Sequence, residues 1–121
     1  MQSLQAEVEP FGVQTLIVNP GFFRTELLTD ESTKYGSNHI QDYDNRRAAQ
    51  IEFWKSHNGK QAGDPTKLAQ ALITLTNEKD MPHRFIAGVD AVSTAEQVVA
   101  LLGKQINAYR DLSTSLDYDN V

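Results

Sequence analysis

The sequence predicts an α/β fold in which two parallel strands are joined by crossover helices, and three observations carry that expectation. Positions 13–18 hold no charge and are mostly aliphatic or β-branched, the composition of a strand buried on both faces. Positions 84–89, Arg-Phe-Ile-Ala-Gly-Val, are the second strand candidate. Between them lie two stretches whose apolar residues recur at helical spacing. A strand–helix–strand unit of this kind implies parallel strands and a right-handed crossover.

Taken in order, positions 1–9 spell a short helix with Leu4 and Val8 on one face, ended by Pro10 and Gly12. A helix this short needs tertiary packing to persist. The first strand follows at 13–18 and stops at Asn19-Pro20-Gly21, a break that opens a loop. Thr25 to Leu28 fits one helical turn, and 29–38 reads as a polar loop containing Gly36, Ser37 and Asn38. From 40 to 56, residues Ile40, Tyr43, Arg47 (by its aliphatic stem), Ile51 and Trp54 recur at helical spacing, and Asn58-Gly59 is a stop. Asp64-Pro65 is a helix start, an acceptor at the cap followed by proline at the first helical position. Leu68, Leu72 and Leu75, flanked by Ala69 and Ile73, give that helix a wide apolar face to about position 77. After the second strand, Ser93-Thr-Ala-Glu96 matches a capping box for a last helix over 94–112. Val98, Leu102, Ile106 and Tyr109 form its apolar stripe, expected in the core, and the polar tail from 113 to 121 is expected to fray.

Composition narrows the function classes. The 121 residues leave room for one domain over 1–121, without repeats or low-complexity linkers. A net charge of −5 offers a polyphosphate backbone no general attraction, which argues against nucleic acid as a partner. The absence of cysteine excludes disulfides and thiolate metal sites and favours a cytoplasmic setting. No window approaches the ~20 apolar residues of a membrane span, and Met1-Gln-Ser-Leu-Gln lacks the regions of a signal peptide. His39, His57 and His83 have neither metal spacing nor a nucleophile motif, so they read as surface residues and no metal is expected. His57, near a helix C-terminus, suits the helix dipole. Asp42 and Asp44, and Glu7 and Glu9, read as solvated acids.

An ordered set of short motifs remains: Glu7-Val-Glu-Pro-Phe-Gly12, Pro20-Gly-x-x-x-Thr25, Gly63-Asp-Pro-x-Lys-Leu-Ala-x-Ala-Leu72 and Arg84-Phe-Ile-Ala-Gly88. Together they resemble the short-chain dehydrogenase/reductase family from near its sixth strand onward, over nearly the whole chain. The resemblance implies the C-terminal half of a Rossmann-like sheet, with the sixth and seventh strands as neighbours. It implies an NAD or NADP cofactor in a full-length relative, and hydride transfer between the nicotinamide and an alcohol or carbonyl. By that resemblance Pro20, Gly21, Phe23 and Thr25 are the cofactor-binding residues. The loop closes over the nicotinamide ring, its backbone meets the carboxamide, and the threonine hydroxyl contacts the cofactor. Read from the residues alone, the same stretch is a strand-terminating turn with Thr25 capping Glu26-Leu27-Leu28. Trp54, with Phe53 and Ile51, either lines a substrate pocket, since the family's lid follows this loop, or anchors its helix in the core.

Equally informative is what these residues lack. Among the seven glycines there is no G-x-G spacing, and none of Tyr35, Tyr43, Tyr109 and Tyr118 has a lysine four residues later. The family's phosphate turn and its Tyr-x-x-x-Lys pair are therefore absent, so no catalytic residue is assigned and no tightly bound cofactor is expected. The chain resembles a C-terminal fragment beginning inside the helix that would carry the catalytic pair. The alternatives are a stand-alone assembly or binding module and unrelated chemistry on a reused scaffold. Because 13–18 has only one other strand to pair with, a homodimer through the first strand and the helices is also expected.

Overall fold

The computed structural model describes residues 2–37 and 40–118, so His39 lies outside the described residues. Helix α1 (Gln2–Val8) runs into a 3₁₀ turn (Glu9–Phe11) that Gly12 closes at φ 73°. Strand β1 (Ile17–Pro20) leads through a 3₁₀ turn (Glu26–Leu28) and another (Gln41–Tyr43) to α2 (Asp44–His57). Then come α3 (Pro65–Thr76), β2 (Arg84–Ala87) and α4 (Val89–Thr114). The two strands pair in parallel, in the register Ile17 with Arg84 through Pro20 with Ala87. This is the expected α/β arrangement of parallel strands and crossover helices.

Start signals behave as their chemistry requires at α3. The Asp64 side chain accepts from the Thr66 N–H at 2.8 Å, and Pro65 fills the first turn. Replacing Asp64 with Ala is expected to cost about 1 kcal/mol, read as a lower midpoint in thermal unfolding.

Three expectations are corrected. The first strand is Ile17–Pro20 rather than 13–18, because pairing starts only where β2 stands opposite, with the Ile17 N–H donating to His83 C=O at 3.0 Å. Nor is the segment dry on both faces: Leu16, Ile17 and Val18 are half-buried and Val13 is exposed. With two strands among the described residues, nothing covers the outer edge of β1. The last helix begins at Val89, five residues before the expected start, so Ser93 to Glu96 is helix interior and no capping box forms. Gly88, at φ 109°, turns the chain from β2 directly into α4.

The stripe on α4 is likewise not core. Val98, Leu102, Ile106 and Tyr109 are 57%, 53%, 49% and 64% exposed. Ala87, 3% exposed, is the one buried apolar residue among those described. The chain presents 10,388 Å² to solvent. A compact monomer of its mass exposes about 6,500 Å². Helices and sheet therefore carry apolar faces with nothing packed on them. No helix among the described residues is long and apolar enough to cross a membrane.

Candidate functional site

The site grows out of the carboxyl end of β1. In a parallel ladder alternate residues bond to the same neighbour. Ile17 and Gly21 donate to β2, the latter to Ala87 C=O at 2.8 Å, so the backbone groups of Leu16, Val18 and Pro20 face the open edge. Proline is tolerated there because its missing N–H would have met no strand. Beyond Gly21 the chain forms one more parallel bridge, Phe23 with Gly63. The Gly63 N–H donates to Phe22 C=O at 3.0 Å, and the Arg24 N–H donates to Gly63 C=O at 2.8 Å. A Cβ at position 63 would stand 2.7 Å from the Phe23 ring and 2.8 Å from Phe22 C=O, so only glycine fits.

These bonds have a consequence for Phe23. Phe22 C=O and the Phe23 N–H belong to one peptide plane, Phe23 C=O and the Arg24 N–H to the next. Gly63 holds both planes by their other ends. The Phe23 N–H and C=O are left without a hydrogen-bond partner among the described residues, facing away from Gly63. A donor and an acceptor on one residue of a fixed backbone match a primary amide, which offers the opposite pair. Arg24 stiffens the arrangement, its Nε and Nη2 donating to Gln61 C=O at 3.2 and 3.0 Å.

Thr25 takes the role that its residue type alone suggests. Its Oγ1 accepts from the Leu27 N–H at 3.4 Å and caps the Glu26–Leu28 turn. Pro20 thus ends β1, and Gly21, Phe23 and Thr25 lie along the loop that follows it. Gly21, Phe23 and Thr25 line a hollow of about 490 Å³ together with Leu27, Tyr35 and Trp54. A larger hollow of about 800 Å³ adjoins it, walled by Phe22, Phe23, Phe53, Trp54 and Phe85. Trp54 is half-buried and packs on Phe22, ring centroids 5.8 Å apart, while Phe53 meets it edge-on at 5.1 Å. It therefore ties α2 to the loop and lines both hollows, whereas Ile51 lines neither. His57, the last residue of α2, stacks its ring on Phe53 with centroids 4.1 Å apart. His83 sits against the Gln5 side-chain amide, which donates to its Nε2 at 2.9 Å.

Two residues of the site carried no motif. Gln61 is 7% exposed, and its Oε1 is buried without a partner. Asp90, in the first turn of α4, accepts from the Phe22 N–H at 2.7 Å through Oδ2. The one sequence signal for it was an acid just inside a helix that follows a glycine. The Phe22 bond holds the Asp90 carboxyl below the usual 3.8, helped by its own N–H and that of Ala91, against a smaller opposing effect of desolvation. Because the folded value is the lower one, the contribution of this carboxylate to stability is present above the unfolded value. It is lost as pH falls through the folded value. A carboxyl ¹³C titration is expected to give a midpoint below 3.8 for Asp90.

No family model matches the chain. It is 27% identical over 110 residues to oxidoreductase BOA17 of Botryotinia fuckeliana, covering 91% of this chain and 39% of that protein. It is 25% identical over 120 residues to an uncharacterized oxidoreductase of Schizosaccharomyces pombe, covering 98% and 40%. Among solved structures it is similar to a short-chain dehydrogenase from Streptomyces avermitilis, at 28% identity and a TM-score of 0.69, covering 97% of this chain and 41% of that one. The chain thus spans about two fifths of the length of the curated relatives it matches. It is similar to proteins named oxidoreductases over that span, and its α/β fold is part of the Rossmann-like fold of a short-chain dehydrogenase.

Proposed function

We propose that the chain is the C-terminal, nicotinamide-side part of an NAD- or NADP-dependent oxidoreductase of the short-chain dehydrogenase/reductase type, acting on an alcohol or carbonyl. The observation that carries this reading is the Phe23 peptide. Its N–H and C=O stand unpaired at the carboxyl end of a parallel strand, where ligands of such sheets bind. A nicotinamide carboxamide complements that pair, and the walls of Phe22, Phe23 and Trp54 suit a flat ring. When bound, the cofactor supplies the hydride chemistry. What these residues do is narrower. Phe23 orients the carboxamide, Thr25 stiffens the loop behind it and offers a hydroxyl, and the aromatic walls exclude water. Nothing in the sequence provides the phosphate cradle or the tyrosine–lysine pair. The chain alone is therefore read as inactive, in a cytoplasmic setting.

A second reading, an assembly module, is favoured by the exposed stripe on α4 and the open edge of β1. In it the chain pairs with a second copy of itself through that edge. The reading frame upstream of the Met1 codon separates the two. An in-frame Tyr-x-x-x-Lys close to Met1, with a Gly-rich turn further upstream, is the expected result. A frame that runs on without either motif contradicts the dehydrogenase reading.

A further inference from the structure

We propose that Asp90 is the positioning residue that holds the loop after β1 so that the Phe23 peptide faces the carboxamide, a role that rests on the nicotinamide reading above. Gly63 fixes the two peptide planes on either side of Phe23. It does not fix the plane before them, between Gly21 and Phe22. That plane follows glycine, the residue with the greatest backbone freedom. Its N–H has one protein partner among those described, the Asp90 carboxylate at 2.7 Å. A Cβ at position 21 would collide with the same carboxylate, so a side chain there would have to push Asp90 aside. The glycine leaves the carboxylate room to reach the Phe22 N–H, and that bond restrains the flexible position.

Asp90 is itself well held. It sits in the first turn of α4 straight after β2, where an anion suits the helix N-terminus, and Gly88 leaves room for it. Through it the loop that follows β1 is tied to the helix that follows β2, across 68 residues of sequence. Asp90 does not line the smaller hollow that holds Thr25 but does border the larger one beside it, and its tie to the Phe23 peptide runs through the Phe22 N–H.

The test uses the ¹⁵N-labelled chain and nicotinamide, the group that both cofactors share. In the wild type, nicotinamide is expected to shift the Phe23 amide in a saturable way. Asp90→Ala is expected to speed Phe22 amide exchange about tenfold and to weaken nicotinamide binding by about the same factor, as loss of a bond to a charged acceptor should. Asp90→Asn keeps an acceptor of about half the strength and should move both readouts only a few-fold. Wild-type behaviour of Asp90→Ala in both readouts overturns the proposal. So does faster Phe22 exchange with unchanged nicotinamide affinity, which leaves Asp90 a purely structural tie. If Asp90→Ala does not fold, Asp90→Asn decides, and no change in either readout overturns the role. Failure of the wild-type Phe23 amide to respond sinks the nicotinamide reading itself, and this proposal with it.

Discussion

At micromolar concentration the isolated chain is expected to sediment as a dimer, and Leu16→Lys to break that dimer or unfold the chain. The force behind this is area. The chain exposes 10,388 Å², whereas a compact monomer of this mass exposes about 6,500 Å². The excess, about 4,000 Å², exceeds the ~800 Å² per partner of a standard interface and resembles an obligate one. Two features locate the contact. At the outer edge of β1, Leu16 and Val18 present both backbone groups and Pro20 its C=O. Antiparallel pairing of that edge with its copy across a two-fold axis makes a four-stranded sheet. The exposed stripe of Val98, Leu102 and Ile106 then has a continuous surface to pack on. A lysine at position 16 brings an unpaired ammonium into that interface at a cost of several kcal/mol. That amounts to two or more orders of magnitude in the association constant. A cooperative, well-folded monomer at micromolar concentration contradicts the assembly.

The second large effect is on turnover. The chain is expected neither to reduce carbonyls nor to oxidise alcohols with either nicotinamide cofactor. Loss of a general acid alone costs about 10² to 10⁴ in rate, before any loss of cofactor binding. Assays with both cofactors over a panel of small alcohols and ketones check this. Turnover that co-purifies with the chain and disappears in Thr25→Ala contradicts it.

The parts of this fold that were legible in the sequence are those set by neighbours in the chain. Asp64-Pro65 marked the start of α3 because cap and first turn are adjacent residues, and Pro20-Gly21 marked the end of β1 for the same reason. Burial was not legible, since an apolar run states what a segment needs and not what stands beside it. Positions 13–18 and the α4 stripe both read as core, and both meet solvent for want of a covering element. The start of α4 is not legible because the decisive feature is a backbone angle, φ 109° at Gly88, while the Ser93–Glu96 signature five residues on is a coincidence of composition. Within the candidate site, the loop residues carry a motif in the sequence. Asp90 and Gln61 carried none, because their partners lie 68 and 37 residues away. The unpaired N–H and C=O of Phe23 are set by Gly63, 40 residues further on, and no local pattern announces them.

Titrating NADH into the ¹⁵N-labelled chain and following every amide, with calorimetry alongside, tests whether the loop after β1 is a nicotinamide-side loop without a phosphate cradle. Shifts concentrated at Phe22, Phe23 and Thr25 are expected, with a dissociation constant in the millimolar range, roughly −4 kcal/mol or weaker. Micromolar affinity, or shifts that avoid this loop, would contradict it.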